Sequence, residues 1–211
     1  MTDATPSPGP RLDAWLARLT AGDVSARDEL VALACERMRA MAHRMLGRYP
    51  TVRRYDDSDD VAQNALVRLH RALATVSPES ADQFFGLAAL QIRRELIDLA
   101  RKYAGPESHA SHHETDSIRL DGEIRSRVAE AESYGTAVAE LERWARLHEA
   151  AAALPDEERR LFDLAWYLGL QQEDAARILG CSVRTVKRRW EQVKEALRVA
   201  LPGGPAGAIM E

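Results

Sequence analysis

The stretch Gln171–Leu201 reads QQEDAARILGCSVRTVKRRWEQVKEALRVAL, and its punctuation decides the fold. A short helical pattern stops at Gly180. Ser182 then offers a cap for a second helix, because a serine hydroxyl accepts one of the N–H groups that a first turn leaves unpaired. Helix, short glycine-containing turn and helix make a helix-turn-helix. Ala175, Ile178 and Val183 are expected at its tight interhelical contact. In the second helix Val183, Val186, Trp190, Val193 and Leu197 recur at three and four, so they share one side. At about 100° per residue, Arg184, Lys187, Arg188 and Glu191 project from the opposite side, with Thr185 and Arg189 on the flank. Four basic residues thus fall between Arg184 and Arg189, with no acid before Glu191. A charge run is most often a solvated helix face. This one occupies the first two turns of the second helix, the part that enters a major groove in such motifs.

The preceding residues extend the same reading. TAVAELERWARLHEAAAAL is helical and ends at Pro155. DEERRLFDLAWYLGL follows, with Asp156 expected as its cap, acids in the first turn where they suit the helix dipole, and Gly169 as its stop. Residues 137–201 therefore form a four-helix domain.

The N-terminal half is helical as well. RLDAWLARLTAGD runs out at Gly22, and Ser25 is the expected cap of a helix whose Leu30, Leu33, Ala34, Met38, Met41, Ala42 and Met45 repeat at helical spacing. Ser58 or Asp59 caps a third helix through Val61, Ala65, Leu66 and Leu69. A fourth carries Phe84, Leu87, Ala88, Gln91, Ile92, Leu96 and Leu99 along one side. No alternating β-branched run is present, so the fold class is all-α: two small helical domains, 11–104 and 137–201, joined by a flexible linker at 105–136. That linker is poor in large apolar residues. Residues 1–10 and 202–211 read as a disordered lead and a flexible tail.

Composition narrows the function. The chain has 211 residues, 45% hydrophobic and 29% charged, with a net charge of −4, which fits a globular protein but not an obvious nucleic-acid binder. No apolar run reaches a membrane span, and MTDATPSPGP has no basic and apolar signal-peptide pattern. Two cysteines in separate segments fit a reduced, cytoplasmic setting. There is no phosphate-binding glycine loop and no nucleophile paired with a base, so an enzyme is not expected. His109, His112 and His113 lie in a polar tether without cysteines, so neither a metal nor a cofactor is expected. His43, His70 and His148 are read as surface or boundary residues.

In this order the motifs resemble the bacterial RNA polymerase sigma factors of the extracytoplasmic-function (ECF) group. ALPDEERRLFDLAWYLGLQQEDAARILGCSVRTVKRRWEQVKEAL is similar to that family's promoter-binding region four, and DDSDDVAQNALVRLHRAL with FFGLAALQIRRELIDLARK to its region two. The resemblance implies that Arg184, Thr185, Lys187, Arg188 and Arg189 meet the minus-thirty-five element. It puts Gln91, Arg93, Arg94, Asp98, Arg101 and Lys102 at or near the minus-ten strand. It assigns Asp57, Asp59, Asp60, Val61, Gln63 and Asn64 to the clamp helices of core RNA polymerase, with the polymerase flap as a further contact. Two positions depart from the pattern: Gln63-Asn64 stands where the family usually has Gln-Glu, and no tryptophan follows Phe84-Phe85. The resemblance leaves open an external anti-sigma factor or control by expression level. Two other readings compete: a stand-alone helix-turn-helix transcription regulator, and a protein-interaction module in which the basic helix is incidental.

Overall fold

The computed structural model describes residues 10–46, 58–104, 139 and 142–201. Among them the regular structure is helical throughout, with no strand. The expectations for the lead to residue 9, the linker, the tail and Asp57 fall outside these residues, as do those for His109, His112 and His113.

Helix α1 (Pro10–Thr20) opens on proline, whose missing N–H costs nothing in a first turn. It buries Leu12, Leu16 and Leu19. Gly22 ends it at φ +89, a conformation a side chain would resist. Helix α2 (Ser25–Leu46) buries Ala26, Leu30, Ala34, Met38, Met41 and Ala42 in a stripe. The expected cap is displaced here. Ser25 is already the first helical residue, and its N–H donates to the Asp23 carboxylate at 2.9 Å. Helix α3 (Ser58–Ala72) turns Val61, Ala62, Ala65 and Leu69 inward. Helix α4 (Ala81–Ala104) starts from reciprocal bonds: the Ser80 hydroxyl accepts from the Gln83 N–H, and the Gln83 side chain accepts from the Glu79 N–H. Its inner face is Phe84, Phe85, Ala88, Ala89, Ile92 and Leu96. Helix α2 packs on α1 and α3, and α3 on α4.

The second group begins with α5 (142–152), followed by α6 (Asp156–Phe162). Pro155, not Asp156, is the N-cap of α6; Asp156 is its first helical residue and acts on the dipole together with Glu157 and Glu158. From Asp163 to Tyr167 the helix widens into a π turn, closed by Leu168 N–H donating to the Asp163 carbonyl at 3.3 Å. Gly169 (φ +61) breaks it before α7 (Gln172–Ile178), and Gly180 (φ +62) makes the turn into α8 (Val183–Ala200). The Ser182 hydroxyl caps α8 by accepting from the Thr185 N–H at 3.1 Å.

The two groups are not separate in the described residues. The π turn packs against α4, and the buried apolar residues of both groups form one continuous core.

Candidate nucleic-acid and polymerase interfaces

Helix α8 divides by face. Val186, Val193 and Leu197 are buried, and Val183 and Trp190 pack at the core's margin. Across from them Arg184, Lys187 and Arg188 are exposed, with no carboxylate partner among the described residues. Thr185 is half-buried and bonded to the Ser182 hydroxyl at 2.9 Å. Arg189, on the flank, is ion-paired with Glu157 of α6. Further along, Lys194 pairs with Glu191 and Arg198 with Glu195, so the C-terminal half of α8 is internally neutralised. Uncompensated positive charge is therefore confined to the first two turns, where the helix dipole adds to it. The arrangement matches what a major-groove helix needs: charged forks outward, an apolar face anchored, and a capped start.

The acidic set lies at the start of α3. Asp59 and Asp60 are exposed; Asp59 is 3.9 Å from Arg39. Gln63 and Asn64 face outward, and the Asn64 amide donates to Glu95 at 3.1 Å. Val61 is buried in the core, so it positions the helix and offers no surface to a partner.

On α4 the expected minus-ten residues separate into two groups. Arg94, Asp98, Arg101 and Lys102 are exposed; Asp98 pairs with Arg68 at 2.8 Å, and Arg101 with Glu149 at 3.2 Å. Gln91 and Arg93 are buried. The Arg93 guanidinium is ion-paired with Asp163, donates from Nε to the Tyr167 hydroxyl at 3.3 Å, and lies over the Tyr167 ring, 5.0 Å from its centroid. The Tyr167 hydroxyl is also 2.6 Å from His148 Nδ1.

The sequence profile of the ECF sigma factor family matches residues 11–202. The chain belongs to the ECF sigma factor family. It is also similar to the RNA polymerase sigma-H factor of Pseudomonas aeruginosa, 28% identical over 187 residues that cover 87% of this chain and 90% of that protein. The family is one of non-catalytic transcription factors, and membership supports a sigma factor role in transcription initiation. No described helix is long and apolar enough to cross a membrane, and no metal-ligating cluster occurs among the described residues.

Sequence reasoning missed one part of this sigma factor, the buried polar chain Arg93–Asp163–Tyr167–His148. Asp163 alone left a signal, as a carboxylate inside the otherwise apolar LFDLAWY. His43 and His70 are exposed, but His148 is fully buried, which corrects its reading as a surface or boundary residue. Arg93 takes one acceptor site on the Tyr167 oxygen, and the direction of the Tyr167–His148 bond follows the tautomer of the imidazole. Nε2 finds no partner among the described residues. Burial, aided by the nearby Arg93 charge, pushes His148 from its ordinary 6.5 down to about 3; burial likewise raises the Tyr167 phenol to about 12.

A pH dependence follows. Between about 6.5 and about 3 the unfolded chain protonates His148 and the folded chain does not. The unfolded state then binds the extra proton, so the stability present above pH 6.5 falls as the pH drops through this window. At full effect the slope is roughly 1.4 kcal/mol per pH unit. Urea titrations between pH 7 and pH 4 should show this component in the wild type and its loss in His148→Gln. Equal pH slopes for the two proteins would contradict the assignment.

Proposed function

We propose that this chain directs core RNA polymerase to a two-element promoter, with each element read by a different helical group. In α8, Arg184, Lys187 and Arg188 take base edges and phosphates of the minus-thirty-five element, since arginine and lysine donate to guanine O6 and N7. Thr185 and Arg189 border that surface. In α4, the exposed Arg94, Arg101 and Lys102 track the minus-ten strand, with Gln91, Arg93 and Asp98 beside them. Asp57, Asp59, Asp60, Gln63 and Asn64 face the clamp helices, with Val61 holding α3 in place. Residues 11–104 and 137–201 act as the two functional units, the second also meeting the polymerase flap. The setting is cytoplasmic, and an anti-sigma factor is a further candidate partner.

The observation that carries this reading is the outward face of Arg184, Lys187 and Arg188 on the first two turns of α8, with no carboxylate partner among the described residues, in a chain of net charge −4. Weak intrinsic attraction to DNA makes the polymerase the carrier that brings α8 to its site. Polymerase capture is tested at α3. Asp60→Arg reverses an exposed charge without touching the core, so the chain folds normally and retains under about a tenth of wild-type binding to immobilised core polymerase. Undiminished capture would remove α3 from the interface.

A further inference from the structure

We propose that Arg189 is a positioning residue: paired with Glu157 of α6, it sets the angle at which α8 presents Arg184, Lys187 and Arg188, and it donates to no DNA atom. The inference rests on the promoter-reading role given to α8 above, and it assigns Glu157, an acid outside the helix-turn-helix, to promoter preference.

Of the basic residues between Arg184 and Arg189, Arg189 alone has a carboxylate partner among the described residues, and its side chain is only 18% exposed. At about 100° per residue it stands about 60° from Val186 and about 40° from Val193, both buried. From Lys187 it is about 160° away, and from Arg184 about 140°. Its stem therefore leaves α8 toward α6, which packs on α8, and its guanidinium meets Glu157 across that contact.

The next residue of α8 is held by the other end of the same helix. Trp190 stacks on Phe162, 6.1 Å between ring centroids. Phe162 lies five residues beyond Glu157 along α6, a rise of about 7.5 Å. One contact would leave α8 free to pivot. Two contacts spaced along α6, one ionic and one aromatic, fix its tilt.

The lever is long enough to matter. Arg184 precedes Arg189 by five residues, about 7.5 Å, so a tilt of about 10° at Arg189 displaces its backbone by about 1.3 Å. A recognition site tolerates about 0.5 Å. The pair itself adds little to folding, because Glu157 is 65% exposed. Its loss leaves a folded chain whose DNA-reading helix is misaimed.

The test uses the full chain with core polymerase and two labelled duplexes. One is a fragment that wild-type holoenzyme selects from host genomic DNA, and the other is that fragment with its minus-thirty-five element scrambled. The ratio of the two affinities reads preference and cancels contributions that are uniform across sequences. Arg189→Glu and Glu157→Arg set like charges against each other, and each is expected to lower the ratio about 5-fold or more. The double exchange restores opposite charges and should raise the ratio above both single variants. Arg189→Gln should lower the ratio with the salt slope unchanged, whereas an arginine on a phosphate would take about one unit of slope with it. Glu157→Arg alters only an exposed side chain, so it keeps the test decisive if the Arg189 variants do not fold.

A double exchange no better than its parents would overturn the proposal. So would a salt slope reduced by about one in Arg189→Gln, or a wild-type ratio in Glu157→Arg. Failure of wild-type holoenzyme to select any fragment sinks the promoter-reading role and this inference together, while selection followed by any of those three results sinks only the inference.

Discussion

Arg184→Ala and Arg188→Ala each lower promoter occupancy by the polymerase holoenzyme about 10- to 100-fold where the side chain meets a base edge. A bidentate contact to guanine contributes about 1–3 kcal/mol, and each 1.4 kcal/mol is a factor of about ten. The folded chain does not register the change, because both side chains are exposed and neither has a carboxylate partner among the described residues. Surface replacements of this kind stay within about 0.5 kcal/mol of wild-type stability. Salt dependence separates the two classes of contact. An arginine that only holds a phosphate weakens binding to every sequence alike and reduces the salt slope by about one, whereas a base-reading arginine relaxes preference at one position. Quantitative footprinting of holoenzyme at several salt concentrations reads both. Unchanged occupancy in both variants would show that α8 does not read DNA.

Phe162→Ala is expected to cost about 3–5 kcal/mol, the range for emptying a buried aromatic site. Phe162 is fully buried and stacks on Trp166 at 5.7 Å and on Trp190 at 6.1 Å between ring centroids, with Tyr167 edge-on at 5.6 Å. It therefore joins α6 to the π turn and to the anchored side of α8. Its loss leaves a cavity between rigid rings that cannot collapse easily, and it loosens the base on which Arg184, Lys187 and Arg188 are mounted. Against a total stability of about 5–15 kcal/mol, the variant loses a large share. Urea unfolding followed by tryptophan fluorescence measures it well, since Trp144, Trp166 and Trp190 of the four tryptophans lie in this aromatic cluster. A loss below about 1 kcal/mol would mean that the cluster is not the anchor of α8.

Local chemistry made much of the fold legible. Gly22, Gly169 and Gly180 were read as stops, and each sits at positive φ. The face of α8 followed from a 3.6-residue period, and Val186, Val193 and Leu197 are buried as that period requires. The caps were read less well: Ser25 is already helical and gives its own N–H to Asp23, and Asp156 follows a Pro155 cap that makes no side-chain bond. The π turn was not legible, since DLAWY carries no local signal for a widened turn; Arg44 of α2 meets its Trp166 carbonyl and Arg37 the Leu168 carbonyl just beyond it. The partner of Arg93 lies 70 residues away, and no local pattern connects such a pair. Solvated donors on a basic helix end look the same in sequence whether or not a distant carboxylate covers one of them. Here Arg94, Arg101 and Lys102 are exposed while Arg93, two residues after Gln91 on the inner side, is buried against Asp163 and Tyr167.

The most direct test of the central claim, that this chain gives core polymerase its promoter choice, is selection of fragmented host genomic DNA by core polymerase and chain together, beside each alone. The account predicts that only the mixture retains a discrete set of fragments sharing two short elements about two helical turns apart. Retention of the same fragments by the chain alone would identify a stand-alone regulator. Retention of none by the mixture would leave a protein-interaction module, and either result would contradict the account.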